Sequence, residues 1–154
     1  MERLASQLIE LSTRHHFAAL VDVGDGLSGW ARSLSGNTAE GLNRIERGIA
    51  NLRAMGWILC LPQYLATKAE ALHLADRMSE ALAAIEEAEA VVEGSEERSW
   101  SAELHRLRGV FLAALGAEET QIEMAFCGAI RIAREQKSVS LKKCAEATLK
   151  FFWV

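Results

Sequence analysis

Residues 29–48 read GWARSLSGNTAEGLNRIERG, and the layout returns twice, as AEALHLADRMSEALAAIEEA at 69–88 and GVFLAALGAEETQIEMAFCGA at 109–129. Each copy opens on a small residue, Gly29, Ala69 or Gly109, and reaches a turn seven positions later, at Gly36-Asn37, Asp76-Arg77 or Gly116-Ala117. Beyond the turn lie Gly41, Ala81 and Ile122, then Ile45, Ile85 and Phe126, then Gly48, Ala88 and Ala129. A spacing of 40 with helix, turn and helix in each unit marks a helical repeat, whose core forms between neighbouring units. That architecture favours recognition over chemistry.

Working outward from these copies, apolar residues at helical spacing predict about eight helices. Leu4, Leu8 and Leu11 place one near Glu2–Arg14, and Leu20, Leu27, Trp30 and Leu34 another over Phe17–Ser35. These two could form one element kinked at His15-His16. Thr38 reads as the N-cap of a helix carrying Leu42, Ile45, Ile49 and Leu52 and stopping near Gly56. Pro62 suits the first turn of a helix that runs Gln63–Ala75, followed by Ser79–Val92 and the Gly94-Ser95 break. Ser101–Leu115, Glu118–Glu135 and Ser140–Trp153 complete the set. Grouped as repeats, the chain is one domain over 1–154, with units at about 17–56, 60–94 and 99–136 and flanking helices at 2–14 and 140–153. The small residues then let paired backbones approach closely, so that a larger side chain at Ala81 or Gly109 overpacks the pair.

Composition narrows the function classes. The chain has 154 residues, half of them hydrophobic, and one proline, which excludes a disordered or proline-rich class. Its 17 Lys and Arg are interspersed with 21 acids, for a net charge of −4, which opposes a nucleic-acid partner. No apolar run approaches the roughly 20 residues that span a bilayer, and a cytoplasmic protein with no membrane partner is the simplest expectation. Cys60, Cys127 and Cys144 form no C-x-x-C pair and are odd in number, so they are expected to be reduced, buried core residues.

Several apparent chemical motifs have plainer explanations. Gly24, Gly26 and Gly29 match G-x-G-x-x-G, but a dinucleotide loop needs a surrounding βαβ unit, and the chain beyond reads as helix. Gly24 and Gly26 are then expected to weaken their helix and to mark a bend. His15-His16 point to different sides of a helix and supply no metal site. His73 follows Glu70, and His105 follows Glu103, without a third ligand or a nucleophile. No cofactor, metal or catalytic residue is therefore expected, and the chain reads as no enzyme.

The pattern of small residues resembles tetratricopeptide repeats. The segments GWARSLSGNTAEGLNRIERGIANLRAMG (29–56), EALAAIEEAEAVVEGSEERSWSAELHRLRG (80–109) and AIRIAREQKSVSLKKCAEATL (129–149) are similar to the repeat region at the C-terminal end of bacterial class III adenylate cyclases and ATPase-type transcriptional regulators. The run W-x-A-E-L-x-R-L-x-G, formed by Trp100, Ala102, Glu103, Leu104, Arg106, Leu107 and Gly109, is its most specific part. The resemblance implies an all-α solenoid of antiparallel helix pairs, about three full pairs plus flanking helices. It also implies a noncatalytic interaction module or scaffold in bacterial signalling or transcriptional control. The array starts within a second helix and stops after a first one, so Phe151-Phe152-Trp153-Val154 is apolar where a polar cap is expected. That tail either packs on the third pair or forms a surface for homo-oligomerisation.

In the tetratricopeptide register the first helix of each pair lines a concave groove. This register points Val23, Trp30 and Ser33, then Gln63, Glu70 and His73, then Glu103, Arg106 and Val110 into it. Trp30 offers an apolar contact, Arg106 a fork for a carboxylate, and the acids a preference for basic groups. The expected partner is a peptide or protein segment, with Trp30, Gln63, Glu70, His73, Glu103 and Arg106 as the binding residues. Against this, Glu103 and Arg106 stand at the i,i+3 spacing of an intrahelical pair. The alternatives are a structural homo-oligomerisation module and, less favoured, a small-ligand receptor or enzyme.

Overall fold

The computed structural model describes residues 2–95 and 97–152 and contains only helices as regular elements among them. In chain order these are α1 (Glu2–Arg14), α2 (Ala18–Leu34), α3 (Thr38–Ala54), α4 (Leu61–Leu74), α5 (Met78–Glu93), α6 (Ser101–Ala114), α7 (Glu119–Glu135) and α8 (Val139–Phe152). Pairs α2–α3, α4–α5 and α6–α7 are the three expected hairpins. Each packs on the next, and α2, α4, α6 and α8 touch in succession along one side. The fold is an all-α, tetratricopeptide-like solenoid of antiparallel helix pairs.

One local device sets the rhythm. The residues after the helix ends adopt left-handed φ at His16 (59°), Gly36 (91°), Gly56 (68°), Asp76 (60°), Gly116 (70°) and Lys137 (55°). At each, the same two hydrogen bonds close the helix: Gly36 N donates to Ser33 O and Asn37 N to Arg32 O, as Lys137 N does to Arg134 O and Ser138 N to Ala133 O. This is the Schellman cap, which satisfies carbonyls that the helix end would leave open. The cap at His16 separates α1 from α2 as two helices, so the single kinked element is not formed. Thr38 is not the cap of α3 either: it is the first helical residue, behind Asn37, whose amide donates to Glu40 Oε2. Pro62 sits in the first turn of α4 as its missing N–H allows.

The core runs continuously from Leu42, Ile45 and Leu52 of α3 through Leu65 and Leu72 of α4 to Leu104 and Phe111 of α6. The equivalent repeat positions Ile45, Ile85 and Phe126 are each fully buried, as are Ala69 and Ala81. Ile122, where the first two pairs carry Gly41 and Ala81, is only half-buried. The cysteines depart from expectation: Cys60 is half-buried, while Cys127 and Cys144 are exposed. Their neighbours Phe126 and Ala145 take the inward direction instead.

Gly24, Gly26 and Gly29 stand in an unbroken α2, each where another helix approaches. A Cβ on Gly24 would lie 2.6 Å from Ile9 of α1, and one on Gly29 would lie 2.6 Å from Gly41 O of α3. A Cβ on Gly26 would enter the ring of Tyr64 of α4. Three glycines thus seat three helices on one, and the bend expected at Gly24 and Gly26 is not needed. Tyr64 also donates from its hydroxyl to Val23 O at 2.5 Å, locking α4 onto α2.

Candidate interaction groove

The stacking of α2, α4, α6 and α8 builds a face from the first helix of each pair. At its centre Trp30 from α2, Glu70 from α4 and Glu103 with Arg106 from α6 come together, all partly buried. Arg106 holds Glu103 in a two-pronged ion pair, Nε to Oε2 at 2.9 Å and the second prong to Oε1 at 2.6 Å. Both side chains are under a fifth exposed, so the pair is shielded from solvent. Burial by itself disfavours the Arg106 charge, but the Glu103 hydrogen bonds and the charges of Glu103 and Glu70 more than restore it. The intrahelical reading of this pair is therefore the one realised, and the Arg106 fork is occupied.

Glu70 is held differently. Burial pushes its carboxyl above the usual carboxylate range, the charge of Glu103 pushes it further, and Arg106 only partly opposes them. The Trp30 indole N–H lies beside that carboxylate and eases its ionisation without reaching hydrogen-bond geometry. The Trp30 nitrogen is buried and has no partner among the described residues. An acid without a dedicated cation thus has the indole N–H for a neighbour, where two carboxylates face one guanidinium.

The other expected residues divide. His73 turns to its own surroundings, its ring 5.4 Å from that of Phe111 and its Nδ1 3.0 Å from Met78 Sδ. Gln63 is half-buried at the opposite end of α4, two turns before Glu70. Val23 and Val110 pack against the core. Ser33 is no groove residue: it is buried, its hydroxyl donating to Gly29 O at 3.1 Å beneath Gly41. The helical register displaced it because α2 faces α3 through Gly29 and Ser33, four positions apart on one stripe. Cys144 of α8 approaches Arg106 closely enough to be felt electrostatically. Sequence reading missed it, since only the return of α8 against α6 brings it there.

No family model matches the chain. It is 27% identical over 150 residues to an uncharacterized protein of Rhizobium meliloti (strain 1021), a match that takes in 97% of the chain and 15% of that protein. The chain therefore spans about 15% of the length of the curated relative it matches. Among solved structures it resembles Bacillus thuringiensis PlcR, determined in complex with the peptide PapR7 and DNA, with a TM-score of 0.76 and 20% identity. That likeness covers 81% of this chain and 45% of PlcR, and it shows the fold.

Proposed function

We propose that the chain is a noncatalytic module that binds an extended peptide or protein segment in the concave groove, with a basic side chain of the ligand beside Glu70. The observation that carries this reading is Glu70, a part-buried carboxylate whose charge Arg106 and the neighbouring Trp30 N–H only partly offset. A Lys or Arg of a ligand would supply the missing cation. Arg106 keeps Glu103 in place, and Gln63 and His73 form the ends of the same face. Charge balance argues against nucleic acid as the ligand, since 21 acids outnumber 17 bases.

The module would serve a bacterial signalling or transcriptional regulator, a cytoplasmic role. The PlcR structure supports this, because it shows a protein of this fold together with a peptide and DNA. The much greater length of the Rhizobium relative fits a module within a larger protein. Titration of the chain with matched Lys-rich and Glu-rich peptides tests the ligand. The basic series should bind at least about tenfold tighter, and Glu70→Lys should abolish the difference. Equal binding of both series, or a preference unaffected by Glu70→Lys, refutes the reading.

A second reading, homo-oligomerisation, is favoured by Phe151, which is 83% exposed. Its neighbour Phe152 packs back, its ring 5.5 Å from that of Phe126 on the third pair. Trp153 and Val154 lie outside the described residues. Light scattering across concentration should show a mass that falls with Phe151→Glu; a monomer at all concentrations excludes this reading.

A further inference from the structure

On the side opposite the groove, α5 and α7 part over α6 and leave a cavity of about 680 Å³, against about 160 Å³ between α3 and α5. Arg98, Arg108 and Arg131 balance Glu89, Glu93 and Glu135 around it, so its charges select no class of ligand. The concave side is more selective. It extends beyond the third pair, because α8 packs against α6 as a fourth first helix.

The left-handed turns give the register of α8. Trp30, Glu70 and Val110 each stand six positions before a left-handed residue, Gly36, Asp76 or Gly116, and so lie at one level on α2, α4 and α6. Trp30 is also 14 positions beyond the left-handed His16, as Phe151 is 14 beyond Lys137. Phe151 is therefore the fourth member of this row. Cys144, seven positions before it, lies near enough to Arg106 of α6 to act on its charge, which turns that side of α8 to the groove. Seven residues make about two helical turns, so Phe151 shares the side of Cys144. Of the large apolar side chains among the described residues, Phe151 is the most exposed. It is also anchored: its ring meets Phe152 edge-on at 5.8 Å, and Phe152 leans on Phe126 of α7 at 5.5 Å. An open aromatic ring held in place in this way is the kind of surface that marks an interface.

We infer that Phe151 is a second contact for the ligand of the groove, a subsite for a large apolar side chain set about five or six residues from the basic one. This rests on the proposed seating of the basic side chain beside Glu70. Two steps between first helices, each of about 8–10 Å, separate Glu70 from Phe151 by roughly 16–20 Å. An extended chain covers that span in about five or six residues at roughly 3.3 Å each. The ligand is thus a peptide with a two-part pattern, and Val110 lies beneath its middle.

The test is calorimetric titration of the full chain with short Ser/Gly-rich peptides. They carry one Arg alone, or Arg with one Leu either two or six positions away, in both orders. Leu at six positions, in the better order, should tighten binding about tenfold over Arg alone, the scale of burying one leucine. Leu at two positions should add less than about twofold. Phe151→Ala should bring the six-position peptide down to the affinity of the Arg-only peptide, whereas Leu4→Ala, which removes another exposed apolar residue, should leave the gain intact. A Leu gain that is absent, independent of spacing, or insensitive to Phe151→Ala overturns the subsite; if Glu70→Lys still weakens the Arg-only peptide, the basic contact stands without it. An Arg-only peptide indifferent to Glu70→Lys overturns the basic contact and the spacing built on it. Light scattering that shows self-association lost on Phe151→Ala would give the ring to a second copy and overturn the peptide subsite.

Discussion

The first and third helix pairs share a spacing but close through different atoms. In α2–α3 the backbones meet directly: Gly29 and Gly41 face each other, with Ser33 tucked beneath. Arg44 ties the pair across to Asp25 at 3.0 Å. In α6–α7 the glycine at the equivalent place, Gly109, lies against the ring of Phe126, and Ile122 stands where Gly41 stood. Glycine facing glycine fixes two helices by main-chain contact that cannot yield, whereas glycine facing phenylalanine fixes them by a side chain that can tilt. The larger α7 residues accompany the wide gap to α5. The same repeat thus gives a tight pair at one end and a pair with room beside it at the other.

The largest effects should come from the glycines at the two interfaces. A Cβ on Gly41 would lie 2.5 Å from Gly29 O and 3.0 Å from Ser33 N, both backbone atoms. Gly41→Ala is expected to destabilise by about 3 kcal/mol, the upper end of overpacking, because relief requires a helix to move. A Cβ on Gly109 would lie 2.9 Å from two ring carbons of Phe126, whose far side meets the partly exposed Phe152. Gly109→Ala should cost only about 1 kcal/mol, since the ring can swing. Urea unfolding of both variants checks the contrast, and equal losses would remove the distinction between the pairs.

The turns supply the opposite control, for they are built alike. A Cβ on Gly36 or Gly116 would meet nothing within 4 Å, so alanine there costs only its left-handed backbone. Both substitutions should destabilise by about 1 kcal/mol and by the same amount, unlike the interface glycines. Lys137 occupies the same conformation between α7 and α8 with φ 55°. Lys137→Gly should therefore stabilise, by about 0.5 kcal/mol after the added freedom of the unfolded chain is subtracted. Melting curves that rank Gly36→Ala well below Gly116→Ala would show that the caps are not equivalent.

These differences explain what the sequence could convey. Helix number and pairing were legible because the apolar stripes, the small residues and the turns repeat together at a fixed spacing. The left-handed residues were only half visible: Gly36, Gly56 and Gly116 announce themselves, but His16, Asp76 and Lys137 do the same work with side chains that do not. Of the groove, the register placed Trp30, Glu70, Glu103 and Arg106 on first helices of successive pairs. It misplaced Ser33, because a register assigns a face without saying how close the partner backbone comes. The cavity beside α6 was illegible for a related reason. It arises from the separation of α5 and α7, which pattern does not encode.

The smallest predicted effect lies where the two pairs communicate, at Glu70, whose carboxyl feels Trp30 of the first and the charges of Glu103 and Arg106 of the third. Burial raises its carboxyl above the ordinary value, with the Glu103 charge adding to the rise. A carboxyl raised on folding favours the folded state when protonated. That contribution is fully present below the unfolded value of 4.5 and is lost as pH rises through the higher folded value. Once ionised, Glu70 therefore weakens the seam it occupies. Glu70→Gln keeps the shape and removes the charge, so it should melt slightly above the parent chain at neutral pH, and the two curves should converge as the pH falls below the unfolded value. Convergence in the other direction, with Glu70→Gln less stable at pH 7, would mean that Arg106 and Trp30 compensate the carboxylate fully. The groove would then offer a ligand no unmet negative charge, and the contrast between a sealed first pair and a receptive seam would fail at its centre.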